Sequence, residues 1–450
     1  MYRYAIEDLK KWKDNPNRKP LIIRGSRQVG KTWLMQEFGK SYFDHTVYIN
    51  FDGNERMKEL FSGDLDIPRI ILGLELEAGF KILAENTLII FDEVQEVPNA
   101  LKSLKYFNEN APQYRIVAAG SLLGVALHPG TSFPVGKVEF LDLYPLNFTE
   151  FLMATGKEQF VELLKKGDFA MVTNFKTKYI DALKRYYFVG GMPEVVFHFS
   201  RENDFNKVRE IQKRILDAYE QDFSKHAPNE VVPRIRLIWN SISVQLAKEN
   251  KKFVYGLVKE GARAREYELA MLWLIDCGLV TKVSRITKPA IPLKAYEDLK
   301  AFKLFMLDVG LFSCMSRLNP QTLLEGNALF EEFKGALTEQ YVFQQLKGIK
   351  ELDTYYWSND RGNSEIDFVI DNGNTIVPIE VKAETNLKAK SLKVYNEMFS
   401  PRISIRASMS DYKKEDWLVN MPLYAINELS SQLYGRDMEK YIKKDRQERS

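Results

Sequence analysis

Cysteine and histidine are scarce in this chain of 450 residues, which has 2 cysteines and 4 histidines. Cys277 and Cys314 are too few for a framework of several disulfides, and no Cys/His pair has the spacing of a zinc site. The small disulfide-stapled proteins and the zinc modules are therefore excluded. The low cysteine content also fits a reducing compartment.

Long apolar runs are missing as well. No stretch reaches the length of a membrane-spanning helix, and residues 1–7 lack the apolar segment of a signal peptide. We therefore expect a cytoplasmic protein with no membrane partner.

A strong excess of either charge is also absent, because the net formal charge is only +3. Any attraction to nucleic acid must then come from a local patch of basic side chains. A chain of 450 residues is longer than one hydrophobic core usually organises, so two or three domains are expected.

A glycine-rich segment near the start of the chain is its most informative motif. Residues 25–32 fit the pattern G-x-x-x-x-G-K-[ST]; an apolar run at 21–23 predicts a strand before it, and residues 33–38 suit a helix after it. Backbone amides of such a loop bind phosphate oxygens, the lysine reaches the β and γ phosphates, and the threonine hydroxyl holds Mg²⁺. Lys31 is therefore also a candidate catalytic residue, and Thr32 a candidate metal ligand. The predicted ATP-binding residues are Gly25, Ser26, Arg27, Gln28, Val29, Gly30, Lys31, Thr32 and Trp33.

A second β-prone run, residues 87–91, ends in Asp92 and Glu93. Parallel strands that are buried on both faces are continuous apolar runs, and ligands bind at their carboxyl ends. Asp92 is the second predicted Mg²⁺ ligand, and Glu93 is predicted to position or deprotonate the attacking water. Together with the glycine-rich loop, the two carboxylates predict nucleotide hydrolysis.

β-prone runs alternate with helical segments over the first third of the chain, at residues 21–23, 47–51, 88–91, 115–118 and 138–143. This alternation predicts an α/β fold with a parallel sheet and right-handed crossovers. The fourth run leads into Ala119-Gly120-Ser121, and Ser121 is a candidate catalytic residue that senses the γ-phosphate. The other interpretation of Ser121 is a plain turn residue at a strand end.

These motifs resemble the AAA-type ATPases, and more narrowly a prokaryotic family in which such a module precedes a C-terminal domain of unknown function. The resemblance rests on residues 25–32, 91–95, 119–121, 144–151 and 190–194. It implies ATP and Mg²⁺ as cofactors. It also makes association of the chain with copies of itself a candidate interaction. The family usually has a Gly-Arg pair before the fifth strand, whereas this chain has Gly136-Lys137, so we assign no arginine finger.

The pattern becomes helical after residue 150 and predicts a lid at residues 151–228, with Gly190-Gly191-Met192-Pro193 as a candidate hinge. Residues 232–285 then carry ten Lys/Arg against five Asp/Glu. Three helical patterns and a strand in this segment predict a winged helix-turn-helix that lays its third helix along DNA. The alternative is an internal packing module with a solvated basic face. The candidate phosphate contacts are Lys251, Lys252, Arg263, Arg265 and Lys282.

The last third of the chain carries a second group of chemically active side chains. Residues 333–346 predict a helix that carries Glu339, residues 355–357 predict a strand, and residues 365–370 and 377–382 predict a hairpin around 372–374. Period-2 alternation puts Glu380 and Lys382 on one face, and the turn brings Asp367 alongside. Such carboxylates bind Mg²⁺, and a neighbouring ammonium can orient the attacking water, which is the equipment for phosphodiester hydrolysis.

This array resembles the PD-(D/E)xK superfamily of restriction-endonuclease-like folds, in which a helix glutamate, a strand aspartate and an E-x-K strand build the metal site. Glu339, Asp367 and Glu380 match the metal ligands, and Asp367, Glu380 and Lys382 match the catalytic residues. The predicted organisation is an AAA-type core at 1–150, a lid at 151–228, a winged helix at 229–290 and the nuclease-like domain at 291–450.

Two functions remain open at this point. In the first, the protein is an ATP-hydrolysing switch coupled to a metal-dependent DNA nuclease. In the second, it is a nucleotide-gated binding or signalling module whose inactive nuclease-like domain docks a protein or nucleic acid.

Overall fold

The computed structural model of the chain describes residues 1–120, 134–248, 252–325, 331–349, 352–359, 364–371, 375–385 and 389–429. They form two compact units. The first unit is Tyr2–Pro145 with Leu272–Leu279, and the second is Met1, Leu146–Met271 and Val280–Ser450. Over the described residues, no helix combines the length and the apolar character that crossing a bilayer requires.

The first unit is built on a five-stranded sheet in the order β2-β3-β4-β1-β5, and every strand pair in it is parallel. The predicted α/β fold and its five predicted strands are confirmed. The strands are β1 (Leu21–Arg24), β2 (His45–Asn50), β3 (Thr87–Asp92), β4 (Arg115–Ala119) and β5 (Glu139–Asp142); the helices are α1 (Ala5–Asp14), α2 (Lys31–Tyr42), α3 (Glu55–Ser62), α4 (Ile67–Ala78) and α5 (Pro98–Asn110).

The core of this unit lies on the sheet and fixes the position of β3. All six residues of β3 are buried, as expected for a parallel strand covered on both faces. Phe91 meets Phe51 and Phe61 edge to face, with ring centroids 5.5 and 5.6 Å apart. Because the strands are parallel, the loop after β1 and the acidic pair after β3 leave the sheet at the same edge.

The second unit contains the remaining helices and an eight-stranded mixed sheet in the order β12-β13-β11-β10-β9-β8-β6-β7. Only the end of α13, from Leu272, belongs to the first unit. The helices are α6 (Phe148–Ala154), α7 (Glu158–Lys166), α8 (Phe169–Asn174), α9 (Lys176–Val189), α10 (Pro193–Glu202), α11 (Phe205–His226), α12 (Val232–Ala247), α13 (Ala264–Asp276), α14 (Val309–Met315), α15 (Pro320–Glu325), α16 (Glu331–Lys347) and α17 (Lys390–Phe399); the strands are β6 (Val280–Ile286), β7 (Glu297–Met306), β8 (Thr354–Ser358), β9 (Glu365–Asp371), β10 (Ile376–Val381), β11 (Ser404–Ser408), β12 (Lys413–Lys414) and β13 (Leu418–Pro422).

The segment predicted as a winged helix differs from the expectation in two ways. The helix expected at 253–259 is a single 3-10 turn, Tyr255–Leu257, because Gly256 and the β-branched neighbours Val254 and Val258 disfavour an α-helix. β6, expected as the wing, pairs with β7 and β8. The predicted boundary at residue 290 therefore falls between two paired strands of the eight-stranded sheet.

The turn between α9 and α10, predicted as a hinge, is held from two sides. Asp308 accepts a hydrogen bond from the Gly191 N–H at 2.6 Å, and the Leu146 N–H donates to the Gly191 oxygen at 2.7 Å. A Cβ on Gly190 would collide with the Asp308 carboxylate, and one on Gly191 with the Leu146 backbone. Close approach of neighbouring groups therefore explains why glycine stands at both positions, and the hinge stays a prediction.

Candidate functional site

The loop between β1 and α2 has the backbone of an anion-binding cradle. Gly25 and Gly30 have φ angles of 151° and 93°, and Gln28 also has a positive φ, of 65°. A Cβ at Gly25 would collide with the backbone oxygen of Leu143. α2 begins at Lys31, directly after the loop, so its first N–H groups and the positive end of its dipole lie at the loop.

The side chain of Lys31 packs against the backbone of this loop, and the residue is 7% exposed. Its Nζ donates to the carbonyl oxygens of Gly25 and Ser26, both at 2.9 Å. Burial lowers the pKa of Lys31 to about 8, against the opposing attraction of Glu93 and Asp92. Phosphate oxygens placed in the loop would favour the charged form of this side chain.

Thr32 and Asp92 connect the loop to the end of β3. Thr32 Oγ1 donates to Asp92 Oδ2 at 2.7 Å, and the Glu93 backbone N–H donates to Asp92 Oδ1 at 3.0 Å. A hydroxyl and a carboxylate this close are oxygen donors of the kind that Mg²⁺ takes, together with water and phosphate oxygens. The structure thus brings together the two residues predicted to hold Mg²⁺ at the nucleotide site.

Tyr48 of β2 is a member of this site that the sequence motifs did not reveal. Its hydroxyl donates to Asp92 Oδ2 at 2.9 Å. Burial and the neighbouring Asp92 raise the pKa of Tyr48, so its phenol keeps its proton and remains a donor. Tyr48 reaches Asp92 because β2 lies beside β3, which only the strand order shows.

Glu93 follows Asp92 with a φ of 50°, a conformation that non-glycine residues rarely adopt. Gln95 Nε2 donates to Glu93 Oε2 at 2.6 Å and restrains the carboxylate. Such strained positions are concentrated at functional sites. The position and the restraint suit a residue that orients a water next to the phosphates.

Two further contacts of the loop involve residues distant in sequence. Ser26 Oγ lies within hydrogen-bond distance of the carbonyl oxygens of Cys277, at 3.1 Å, and Gly278, at 2.8 Å, in the segment Leu272–Leu279 of the same unit. Arg3 is 3% exposed and donates to Val29 O at 3.1 Å and Tyr144 O at 2.6 Å. Both side chains fix loop backbone, and neither could be assigned a partner from sequence.

The remaining predicted residues of this site are less constrained. Trp33, in the first turn of α2, is 38% exposed. Ser121 lies outside the described residues. Lys137, where the resembled family has an arginine, forms an ion pair with Glu109 at 2.9 Å. This pairing gives Lys137 a partner within its own chain.

The second unit brings the predicted C-terminal residues into one cluster. β9 and β10 are antiparallel, with Phe368 opposite Ile379. Asp367 Oδ2 accepts a hydrogen bond from the Val381 N–H at 2.7 Å, and Lys382 Nζ lies 2.8 Å from Glu380 Oε1. Burial disfavours the Lys382 ammonium, but Glu380, Asp367 and Glu339 outweigh it and raise the pKa of Lys382. The predicted turn at 372–374 lies outside the described residues.

Lys303 of β7 belongs to the same cluster and was not predicted. It is 0% exposed, forms an ion pair with Glu365, and lies 3.9 Å from Glu339 Oε2. Its Nζ is also 4.8 Å from the ring centroid of Tyr356. Burial disfavours the charged form, but Glu365, Glu339 and Asp367 outweigh it and raise the pKa of Lys303. A lysine among the otherwise apolar residues 301–306 of β7 was the sequence signal for it.

The predicted group of three metal ligands differs from the observed arrangement. In the part of the chain that the structure describes, no three Asp, Glu, His or Cys side chains are arranged to hold a metal ion. Glu339 Oε2 lies 3.9 Å from Lys303 Nζ, and Glu339 also acts on Lys382. Two carboxylates do suit a divalent ion, because Glu380 is 3% exposed and its Oε2 has no hydrogen-bond partner among the described residues. Mg²⁺ is commonly held by one or two carboxylates with water, which fits Asp367 and Glu380.

The third helix of the basic segment at 232–285, α13, does not present a basic face. Lys282 lies 4.8 Å over the Phe302 ring, and Lys251 lies outside the described residues. The exposed side chains of α13 from Arg265 onward are three acidic residues, two leucines and one arginine. Such a surface does not suit phosphate contact, so the major-groove role predicted for the third helix is not supported. The exposed residues of α13 from Arg265 onward are Arg265, Glu266, Glu268, Leu269, Leu272 and Asp276.

Comparison with known families shows what three parts of the chain are similar to. Residues 17–152 match the family model of the AAA domain, residues 180–322 match a domain of unknown function, DUF8612, and residues 334–426 match a second one, DUF4143. Residues 17–152, which include the glycine-rich loop and the parallel sheet, are therefore similar to the AAA domain. No curated protein matches the chain.

Matches among solved structures include the Walker-type ATPase PABY2304 of Pyrococcus abyssi, at 15% identity and a TM-score of 0.43, over 69% of this chain and 94% of that chain. The Orc1 protein of Aeropyrum pernix, solved in complex with DNA, matches at 13% identity and 0.28, over 70% and 90%. Cdc6p of Pyrobaculum aerophilum matches at 12% and 0.24, over 71% and 93%. At these scores the likenesses carry no argument, and the similarity to the AAA domain rests on the match of residues 17–152 and on the parallel sheet.

Proposed function

We propose that the protein binds ATP with Mg²⁺ and hydrolyses it as a conformational switch. The meeting of Lys31, Thr32 and Asp92 at the end of the parallel sheet is the observation that supports this proposal. Lys31 would bind the β and γ phosphate oxygens, and Thr32 with Asp92 would hold Mg²⁺, which neutralises charge on the phosphates. Glu93 would orient the attacking water and accept its proton.

ATP hydrolysis by two variants and a control tests this proposal. Lys31→Ala should lose both ATP binding and hydrolysis, whereas Glu93→Gln should bind ATP and hydrolyse it about a hundredfold more slowly or worse. Lys40→Ala, at an exposed position of α2, is the matched control and should behave as the wild type. Wild-type hydrolysis rates in both site variants would contradict the proposal.

The contact of Ser26 supports a route from the loop to the rest of the chain. The carbonyl groups near Ser26 belong to Cys277 and Gly278, which directly follow α13 and precede β6. A loop that rearranges around phosphates would move or release this contact. We propose that this segment transmits the nucleotide state along α13.

We further propose that the C-terminal part of the second unit has a restriction-endonuclease-like arrangement. The element order α16-β8-β9-β10-α17-β11 supports it, with β8, β9 and β10 antiparallel and β11 parallel to β10. Asp367 and Glu380 would hold a divalent ion that supplies Lewis-acid chemistry, and Lys382 would orient the attacking water. DNA is the substrate that this equipment suits.

A second candidate function is a docking module that does not cut. The pairing of Lys382 with Glu380 favours it, because it engages two side chains that catalysis needs. The two candidates share the nucleotide switch and differ only in the chemistry of the C-terminal cluster. Self-association and a cytoplasmic location stay predictions from the sequence.

A DNA cleavage assay separates the two candidate functions. The protein is incubated with linear or single-stranded DNA in the presence of Mg²⁺ or Mn²⁺, and cutting of the DNA is measured. For a nuclease, Asp367→Ala and Glu380→Ala should abolish cutting, while Glu397→Ala, at an exposed position of α17, should not. Undiminished cutting by both cluster variants would rule out this nuclease site. DNA binding that weakens with salt and leaves the DNA intact would favour the docking module.

A further inference from the structure

Helix α12 differs from the rest of the chain in its charged residues. Its 16 residues include two arginines and no aspartate or glutamate, although acidic and basic residues are nearly equal in number over the whole chain. The apolar side of the helix, which includes Ile238 and Trp239, is buried, and the helix packs against α11, β7 and α16. The opposite side is exposed. An exposed helix surface without negative charge is therefore available to an anionic partner.

Three exposed side chains of α12 recur at intervals of four residues and form what we call the α12 stripe, Arg236, Asn240 and Val244. Residues at this interval lie on the same side of a helix, and the stripe is about 12 Å long. Arg236 donates to Ser224 Oγ of α11 at 2.9 Å, which holds its guanidinium in place and uses one of its several N–H donors. Val244 is 54% exposed, so an apolar surface lies on the same stripe.

Exposed lysines flank the α12 stripe at both ends. Lys225 is next to Ser224, the partner of Arg236, and Lys248 directly follows the helix. Among the described residues, neither lysine nor Arg236 forms an ion pair with a carboxylate. Their positive charges are therefore not neutralised within this part of the chain and can meet phosphate oxygens.

The opposite flank of α12 has acidic neighbours. Arg234 lies on a cleft that is also lined by Lys259 and by three carboxylates, those of Glu230, Glu260 and Glu266. The Arg234 guanidinium donates to Glu230 O at 3.1 Å. The carboxylates outnumber the cations of this cleft and repel phosphate. The surface that suits an anionic partner is therefore limited to the α12 stripe and its two flanking lysines.

We propose that α12 lies in the major groove of duplex DNA with the α12 stripe facing the base edges, and that Lys225 and Lys248 contact phosphates on either side. In this groove arginine pairs with guanine, asparagine pairs with adenine, and an apolar side chain contacts the methyl group of thymine. The length of the stripe matches about three to four stacked base pairs. The inference concerns binding alone, so it does not depend on whether the C-terminal cluster cuts DNA.

Fluorescence anisotropy with a labelled DNA duplex of mixed sequence tests the proposal on the full-length chain, without divalent metal so that no cutting interferes. The wild type should bind the duplex at low salt, and more tightly than a single strand of the same sequence. Arg236→Ala, Lys225→Ala and Lys248→Ala should each weaken binding by about threefold to tenfold and lower the slope of log affinity against log salt by about one. From a pool of random duplexes the wild type should enrich a short motif, and Asn240→Ala should lose the preference at one base pair.

Arg265→Ala, at an exposed position of α13, is the matched control and should keep DNA affinity within about twofold of the wild type. An equal loss in Arg265→Ala and Arg236→Ala would show an effect of net charge and overturn the proposal. Wild-type affinity in all three variants of the cations, or tighter binding of the single strand, would also overturn it. If the wild type binds no DNA at low salt, the DNA-binding part of the proposed nuclease fails as well, whereas the other outcomes overturn only the role of α12.

Discussion

Replacement of Lys31 by methionine should stabilise the nucleotide-free first unit at neutral pH. The side chain is 7% exposed, and burial lowers its pKa from 10.5 to about 8. Between these two values the unfolded chain binds more protons than the folded chain, so the free energy of unfolding rises with pH. The penalty for burying the ammonium is therefore fully present below about pH 8 and fades as the pH approaches 10.5.

The size of the change in the free energy of unfolding follows from the lowered pKa of Lys31 and from the hydrogen bonds that Lys31→Met loses. Burial of the charged form costs about 3 kcal/mol at pH 7, at about 1.4 kcal/mol for each tenfold change in the protonation constant. Loss of the donor to Gly25 O and Ser26 O offsets this by about 1–2 kcal/mol. Lys31→Met should thus stabilise the first unit by about 1–2 kcal/mol at pH 7, a gain that disappears at high pH.

Hydrogen exchange measured by mass spectrometry on peptides from β1 and β3 is the suitable assay, because it reports the opening of the first unit alone. Variant and wild type are compared at the same pH, so the intrinsic exchange rates cancel. Lys40→Met, at an exposed position of α2, is the control and should show no difference. Equal or faster exchange in Lys31→Met at pH 7 would refute the reasoning, as would a stabilisation that grows with pH.

Three further outcomes are expected. Tyr48→Phe removes one donor to Asp92 and should weaken Mg²⁺-dependent ATP binding by about tenfold, measured by calorimetry; equal affinity would contradict a role at the metal site. Ser26→Ala should change ATP affinity by less than about threefold but speed hydrogen exchange in Leu272–Leu279, and unchanged exchange there would exclude the proposed link. Gly191→Ala should lower the free energy of unfolding by about 3 kcal/mol in urea titrations, whereas Gly335→Ala, with open space around it, should not.

The first unit could be predicted from sequence because its signals are local. Strand β1, the glycine-rich loop and α2 are contiguous, and the acidic pair directly follows the buried strand β3. In a parallel sheet the glycine-rich loop after β1 and the acidic pair after β3 lie at the same edge, so the sequence between them need not be interpreted. The hairpin of β9 and β10 was predictable for the same reason, since period-2 alternation fixes which residues share a face.

The rest could not be predicted, because it depends on pairings between distant parts of the chain. Tyr48 reaches Asp92 only through the strand order, and Ser26 meets Gly278 across most of the sequence. The expected wing, β6, joins the eight-stranded sheet through β7 and β8. Lys303 enters the carboxylate cluster only because β7 lies near α16, and no local pattern encodes that approach.

Calorimetric titration of the wild-type chain with ATP, with and without Mg²⁺, tests the nucleotide site most directly. One ATP should bind per chain, at least about tenfold more tightly with Mg²⁺, and Asp92→Asn should keep ATP binding but lose the effect of Mg²⁺. Lys31→Met should bind no ATP in the same range. Absence of heat with wild-type protein, or equal binding by Lys31→Met, would contradict the account.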